Sequence, residues 1–160
     1  MPKHLPVKAH RQKPSLCGPA CLKMIFRYYG THATESQVAK VAKSTWFLGT
    51  SLAGMKKAAG HYGFTLRAKD NASFSDIQKL LKKGTPPIAD WWSETDGHYS
   101  VVVGLDAKNI YLQDPELGKI RKMDRRTFYR CWFDFPKDFI RYPGDIQLRR
   151  LLIVEPKKKS

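Results

Sequence analysis

The paired prolines Pro86 and Pro87 divide this chain by period. Before them, apolar residues recur every three or four positions; after them, they come in short runs and alternations. A chain written this way must place helices first and a sheet second, because a stripe repeating every 3.6 or so residues is buried as a helix face and a two-residue alternation as a strand. From Cys17 the apolar positions Cys21, Met24, Ile25 and Tyr28 fall on one helix face, and Gly30 supplies a stop. Thr34 and Gln37 have capping-box spacing and open a helix through Val38, Val41 and Ala42. A third helix starts near Ser51 and turns Leu52, Met55, Ala58, Ala59 and Tyr62 inward, with Gly60 and Gly63 weakening and ending it. A fourth runs from a cap at Ser73 or Ser75 through Ile77, Leu80 and Leu81 to Gly84.

Beyond the prolines, IADWW reads as the first strand of a sheet. DGHYSVVVGLDAKNIYLQDP reads as turn, apolar strand, turn, second strand and a stop at Pro115. The polar loop SETDGH is expected at the rim of a cleft between the two halves. KIRKM is a further strand, Asp124 caps a short helix containing Phe128 and Trp132, and IQLRRLLIVE is a terminal strand. A helical half packed on an antiparallel sheet is an α+β fold. At 160 residues, 42% apolar and 12% aromatic, the chain has the material for one packed domain.

Cys17 sits in the first turn of its helix, where unsatisfied N–H groups and the positive end of the helix dipole favour a thiolate. A free cysteine on an apolar face is equally a small core residue, and the helix alone leaves both readings open. His98 opens one strand of the hairpin and Asp114 closes the next, so antiparallel pairing brings both to one end of the sheet. Cysteine, histidine and an orienting aspartate satisfy the nucleophile, base and orienter logic of acyl transfer. Trp91, Trp92 and Tyr99 lie near the His98 turn, where they either line the cleft and contact substrate or pack the sheet. Cys21 and Cys131 read as core residues, and the three cysteines show neither a C-x-x-C spacing nor a disulfide framework.

The run from Gln12 through CGPACLKMIFRYYG, the stretch GTSLAGMKKAAGHYGFTLRA, and GHYSVVVGLDAKNIYLQDPELGKIRKM together resemble the bacteriocin-processing cysteine peptidases. These are papain-like enzymes that remove double-glycine leader peptides, usually as the N-terminal domain of an ABC exporter. The resemblance covers about residues 11 to 135. It implies a papain-like fold with Cys17 as nucleophile, His98 as general base, Asp114 as the residue orienting His98, and Gln12 as side-chain donor of the oxyanion hole. It implies cleavage of a peptide or protein substrate after small residues such as a double glycine, with no metal or organic cofactor. In this sequence Pro14, Ser15 and Leu16 stand where family members commonly carry acidic residues, and Gln12 is one position closer to the cysteine. The resemblance thus gives a peptidase domain over residues 1–135 and leaves 136–160 as a basic C-terminal extension, expected to pack on the same domain with a mobile end.

The net charge of +15 creates a field that attracts polyanions, acidic proteins or anionic membranes. Residues 136–160 carry only +4 of it, so +11 belongs to residues 1–135. A basic binding module for nucleic acid or acidic protein is therefore one alternative, and an acyl transferase or amidase on the same fold is another. No apolar run approaches the roughly 18–20 residues that span a bilayer, and MPKHLPVKAHRQK lacks the apolar stretch of a secretory signal, so the expected location is the cytoplasm.

Overall fold

The computed structural model describes residues 4–47, 49–135 and 140–158. The helices form where their caps put them. Helix α1 (Cys17–Tyr28) ends before Gly30, whose φ of +92° turns the chain away. Helix α2 (Glu35–Ala42) carries the complete Thr34–Gln37 capping box, and α3 (Leu52–His61) begins at Ser51, which accepts the Gly54 N–H. Helix α4 (Phe74–Lys82) starts at Ser73 rather than Ser75, because Asp76 completes a second capping box with Ser73. Asp124 caps α5 (Arg125–Cys131) by accepting the N–H groups of Arg126 and Thr127, and Trp132 lies one residue past its end.

Six strands form one fully antiparallel sheet: β1 (Phe64–Lys69), β2 (Ile88–Ser93), β3 (Asp96–Leu105), β4 (Asn109–Asp114), β5 (Lys119–Asp124) and β8 (Arg150–Pro156), in the order β1-β8-β2-β3-β4-β5. Two short strands, β6 (Phe133–Asp134) and β7 (Gln147–Leu148), pair separately. Three expectations need correction. IADWW is not the first strand of the sheet: β1, FTLRAK, precedes it as an edge strand that buries Phe64 and half-buries Leu66 and Ala68 while exposing Thr65, Arg67 and Lys69. SETDGH is not a loop, because the β2–β3 ladder continues to Ser93 opposite Asp96 and leaves only Glu94 and Thr95 to turn. IQLRRLLIVE is two strands, broken at Arg149 where φ is +47°.

Alternation along the strands builds two cores. Ile88, Val101, Val103, Leu152 and Val154 face α1, α2 and α3. Ala89, Trp91, Val102, Ile110, Leu112, Leu151 and Ile153 face α4 and α5. Helices thus cover both faces of the sheet, which is why the central strands read as unbroken apolar runs. The segment after residue 135 supplies β8, which lies inside the sheet between β1 and β2. Residues 136–139 lie outside the described residues, as do 159–160 of the closing PKKKS where a mobile end is expected.

The N-terminal arm crosses the sheet before α1 begins. Leu5 N–H donates to Val103 O at 2.9 Å, Val7 is buried in the first core, and Gln113 Nε2 donates to Val7 O at 2.9 Å. His10 binds Glu35 at 2.8 Å, and the Lys13 N–H also reaches that carboxylate. The start of α1 is therefore fixed from both sheet and helix α2.

Where α3 crosses α2, a Cβ on Gly54 would collide with the carbonyl oxygen of Ala42, a backbone atom that cannot swing away. Gly60, on the same helix, has only the end of the Lys157 side chain nearby, at 4.0 Å. Gly54→Ala is expected to destabilise the fold by about 2–3 kcal/mol through overpacking, and Gly60→Ala to be neutral or to stabilise it by about 0.5–1 kcal/mol through helix propensity. Denaturant midpoints of the two variants check the pair.

Candidate active site

Cys17 is the first residue of α1 and is half-buried. A turn delivers it: the Leu16 N–H donates to Lys13 O at 3.1 Å, and Ser15 takes a φ of +65°, a conformation uncommon for a residue with a side chain. Ser15 is held there by its hydroxyl, which donates to Trp46 O at 2.9 Å. Leu16 provides no side-chain cap and Pro19 has no N–H, so the first-turn N–H groups of Cys17 and Gly18 are not spent on capping. A Cβ on Gly18 would press within 2.9 Å of Met55 Sδ and 3.1 Å of Thr50, so the glycine lets α3 close against the cysteine turn.

Opposite stands the β3–β4 hairpin. His98 is 7% exposed and Asp114 is fully buried, and His98 Nε2 lies 2.6 Å from Asp114 Oδ1. Asp114 is oriented by its own turn: Oδ1 accepts the Glu116 N–H at 3.0 Å, Pro115 stiffens the backbone, and Gly118, at φ +67°, donates its N–H to Asp114 O at 2.8 Å. Arg121 on β5 donates Nε to Asp114 Oδ2 at 2.6 Å. A buried carboxylate would otherwise be costly, and three donors compensate it. Burial pushes the Asp114 carboxyl up, but the hydrogen bonds and charges of His98 and Arg121 outweigh it and hold the carboxyl below its ordinary range. Burial pulls the His98 imidazolium down, yet the hydrogen bonds to Asp114 and to the Cys17 thiol raise its pKa from 6.5 to about 9. Cys17, His98 and Asp114, far apart in sequence, thus meet across the end of the sheet.

Gln12 comes to the same end, its backbone N–H donating to Pro115 O at 2.8 Å. Its amide Nε2 donates to Lys13 O at 3.3 Å, while its Oε1 is buried without a partner. Of the two readings for Trp91, lining the cleft or packing the sheet, the second holds: it is 3% exposed, its ring stands edge-on to His98 at 5.7 Å and its Nε1 donates to Ser100 Oγ at 3.0 Å. It serves the site through the imidazole it buttresses rather than by presenting a face to solvent. Trp92 is half-buried; its ring stacks on Phe133 at 5.9 Å and packs at a tilt against Phe135 at 4.8 Å. Tyr99 points to the other face of β3 and packs partly buried against the first core. Cys21 is fully buried, and burial, with the nearby Cys17 and Asp114, pushes its thiol well above the usual value. Cys131, expected in the core, is only half-buried against the second cluster.

Two contributors escaped the sequence. Arg121 sits in KIRKM, where nothing marks it from the lysines beside it, yet it alone of these cations reaches Asp114 among the described residues. Asp90 sits inside the apolar run IADWW, and a charged residue there was the available signal. It is 2% exposed, and burial together with a hydrogen bond to the Asp134 carboxyl pushes its pKa well up. The loop between α2 and α3 adds two exposed aromatics, Trp46 and Phe47, through the Ser15 contact. His98, Asp114 and Glu116 have ligand atoms within 4.8 Å of one another. Arg121 already brings positive charge to Asp114 and lies 3.8 Å from Glu116, so the donor set is that of an ion-pair network and we assign it no metal.

Comparison with known proteins places this chain in a family. The family model of the Peptidase C39 family matches residues 7–135. The transport/processing ATP-binding protein ComA of Streptococcus pneumoniae is 35% identical over 119 residues, a match spanning 72% of this chain and 16% of that protein's length. Among solved structures, the peptidase domain of Streptococcus ComA matches with a TM-score of 0.73 at 22% identity, covering 94% of this chain and 99% of that one. A double glycine motif protease from an AMS/PCAT transporter, solved in complex with the leader peptide, matches with a TM-score of 0.68 at 23% identity, covering 98% and 99%. Among the described residues no helix is long and apolar enough to cross a membrane, and the chain spans about a sixth of the Streptococcus pneumoniae protein's length. By sequence and by its papain-like α+β fold, the chain belongs to the Peptidase C39 family, the cysteine peptidases whose signature its motifs carry.

Proposed function

We propose that Cys17 is the nucleophile of this peptidase, His98 its acid–base partner, Asp114 the residue that orients His98, and Gln12 with the Cys17 backbone N–H the donors to the oxyanion. The observation that carries the reading is the 2.6 Å contact between His98 Nε2 and the buried Asp114 carboxylate. With Nε2 committed there, Nδ1 is the ring nitrogen left to face the thiol. The Cys17 sulfur attacks the peptide carbonyl, its proton passing to His98, and the carbonyl oxygen becomes an oxyanion beside the uncapped start of α1. Collapse breaks the C–N bond, His98 gives its proton to the leaving amine, and a water activated by His98 then hydrolyses the thioester and restores the thiol. For Gln12 to donate to the oxyanion, its amide exchanges the long 3.3 Å bond to Lys13 O for the substrate.

The substrate is a peptide or protein cleaved after small residues such as a double glycine, a preference supported by the similarity to a double glycine motif protease bound to a leader peptide. Trp92, Tyr99 and the exposed rings of Trp46 and Phe47 offer apolar contacts to its chain, with Trp91 behind His98 as a support. Three free cysteines and a thiol nucleophile suit a reducing location, the cytoplasm. Residues 136–160 then act as part of the peptidase domain through β8.

Cleavage of a proteome-derived peptide library, read by mass spectrometry, tests the function. Cys17→Ala is expected to abolish cleavage, and Asp114→Asn to lower kcat/KM by about 100- to 10,000-fold. Full cleavage by folded Cys17→Ala would overturn the reading.

Alkylation separates the thiols. Iodoacetamide is expected to modify Cys17 at neutral pH at least about tenfold faster than Cys21, whose buried and raised thiol supplies little thiolate. Peptide mapping over time reads the two rates.

The His98 proton also links to stability. Its folded pKa of about 9 lies above 6.5, so protonation favours the folded state; the gain is complete below about pH 6.5 and is lost as the pH rises through 9. It amounts to about 3 kcal/mol. Denaturation between pH 6 and 9.5 is expected to show this loss in the wild type and not in His98→Gln, and kcat/KM is expected to fall on the alkaline side near pH 9.

A further inference from the structure

The β3–β4 hairpin has a second end. His98 and Asp114 lie at one; at the other, roughly 20 Å along the strands, the turn through Ala107 and Lys108 meets α5 and the first residue of α4. Between them lies an open depression of about 560 Å³ lined by Phe74, Lys108, Arg125, Arg126, Tyr129 and Arg130, with Ala107 and Asp124 completing it. Its size falls in the range of small-molecule sites.

Of its four cationic side chains, Arg125 alone is hydrogen-bonded into the fold among the described residues. Asp124 spends its carboxylate on the N–H groups of Arg126 and Thr127. Asp106, at the neighbouring turn, spends its own on the N–H groups of Lys108 and Asn109 and on the Tyr111 hydroxyl. Among the described residues no acidic side chain lies within ion-pair range of Lys108, Arg126 or Arg130. Arg126 and Arg130 are four residues apart on α5 and share a face. Arg125 is already positioned: its guanidinium lies 4.3 Å from the Phe74 ring centroid, and Nη1 donates to Asp106 O at 2.9 Å. Four cations converge on the depression against one lining carboxylate, Asp124, so the local balance stays positive and gains from a multivalent anion.

The aromatic groups narrow the class. Tyr129 is 49% exposed, with its ring 6.0 Å from Phe74. Arg149, which does not line the depression, lies 5.5 Å from the Tyr129 ring and helps fix it. A simple oxyanion has no use for an exposed, braced aromatic ring beside arginines, whereas a ligand joining a planar ring to phosphates uses both. We propose that this depression is a binding site for a free nucleotide, with Arg126, Arg130 and Lys108 on the phosphates and Tyr129 against the base. The depression lies at the opposite end of the hairpin from His98 and Asp114, and the assignment does not rest on the peptidase reading.

Calorimetric titration of the full chain with ATP, in chelator so that no divalent cation screens the phosphates, tests the site. The expected result is one saturable site with Kd below about 100 µM. Arg126→Ala combined with Arg130→Ala is expected to weaken it at least about tenfold and Tyr129→Leu at least about threefold, whereas Lys79→Ala combined with Lys83→Ala, which removes equal charge from a different surface, is expected to leave it unchanged. Equal loss in both double variants would mean only the general field of a +15 protein and would overturn the proposal. So would tripolyphosphate binding as tightly as ATP, because the ring would then contribute nothing. A hexaglutamate peptide matching ATP, or a single-stranded oligonucleotide binding at least about tenfold tighter than ATP with a steep salt dependence, would transfer the site to an acidic peptide or a nucleic-acid strand and overturn it equally.

Discussion

The carboxylate of Asp114 is the point on which the candidate site depends. It is fully buried, and a lone charge in that position would cost several kcal/mol. The fold makes it tolerable by bringing one donor from each of three places: His98 from β3, Arg121 from β5, and the Glu116 N–H from the turn that follows Asp114 itself. Each donor has a different consequence. The turn N–H fixes the carboxylate to its own backbone, so its direction is local. Arg121 ties the edge strand to it and lies 5.5 Å from the Trp91 ring, so the cation that neutralises Asp114 also closes the hydrophobic wall behind His98. His98 receives what remains, a short bond that sets the ring plane and leaves one nitrogen toward α1. Removing Arg121 leaves the buried Oδ2 without its partner, and removing either donor to Oδ1 leaves that oxygen one hydrogen bond short, which is why we read the three as one unit.

The position of Cys17 is settled differently, by backbone rather than charge. The arm before it is stitched to β3 through Leu5, to β4 through Val7 and Gln113, and to the β4–β5 turn through Gln12 and Pro115. The last of these is the turn that orients Asp114. The segment carrying the proposed nucleophile and the segment carrying the proposed orienter therefore share a hydrogen bond at 2.8 Å, and a displacement of one is passed to the other. Gly18 and Gly54 allow the close approach of α3 that backs this arrangement.

Much of this was legible in the sequence, for identifiable reasons. Helix starts are written locally, in Thr34–Gln37, Ser51, Ser73 and Asp124, because a cap needs only residues within one turn. The β3–β4 pairing is likewise local, so the spacing of His98 and Asp114 around one short turn is enough to place both at the same end of a sheet. Strand order is not local. Nothing near IQLRRLLIVE says that its second half inserts between β1 and β2, since that neighbour relation is a choice among distant ladders. FTLRAK was missed because an edge strand buries only alternate residues and follows a glycine-rich helix end. Arg121 and Asp90 were missed because side-chain partners depend on register across several strands, and a one-residue slip would send each to the opposite face.

The same hairpin separates two kinds of charge. At its His98 end, Asp114 and Glu116 lie beside the histidine, and Asp90 on β2 with Asp134 on β6 adds a further acidic pair near Cys17. At its far end Asp106 and Asp124 accept backbone N–H groups, and among the described residues Arg126 and Arg130 form no ion pair. A positive field over the whole molecule would draw anions to every surface alike. The local carboxylates oppose that pull near Cys17, and at the depression beside α5 four cations outnumber the one lining carboxylate. The overall charge therefore says less about the reaction at Cys17 than about what the opposite end of the sheet attracts.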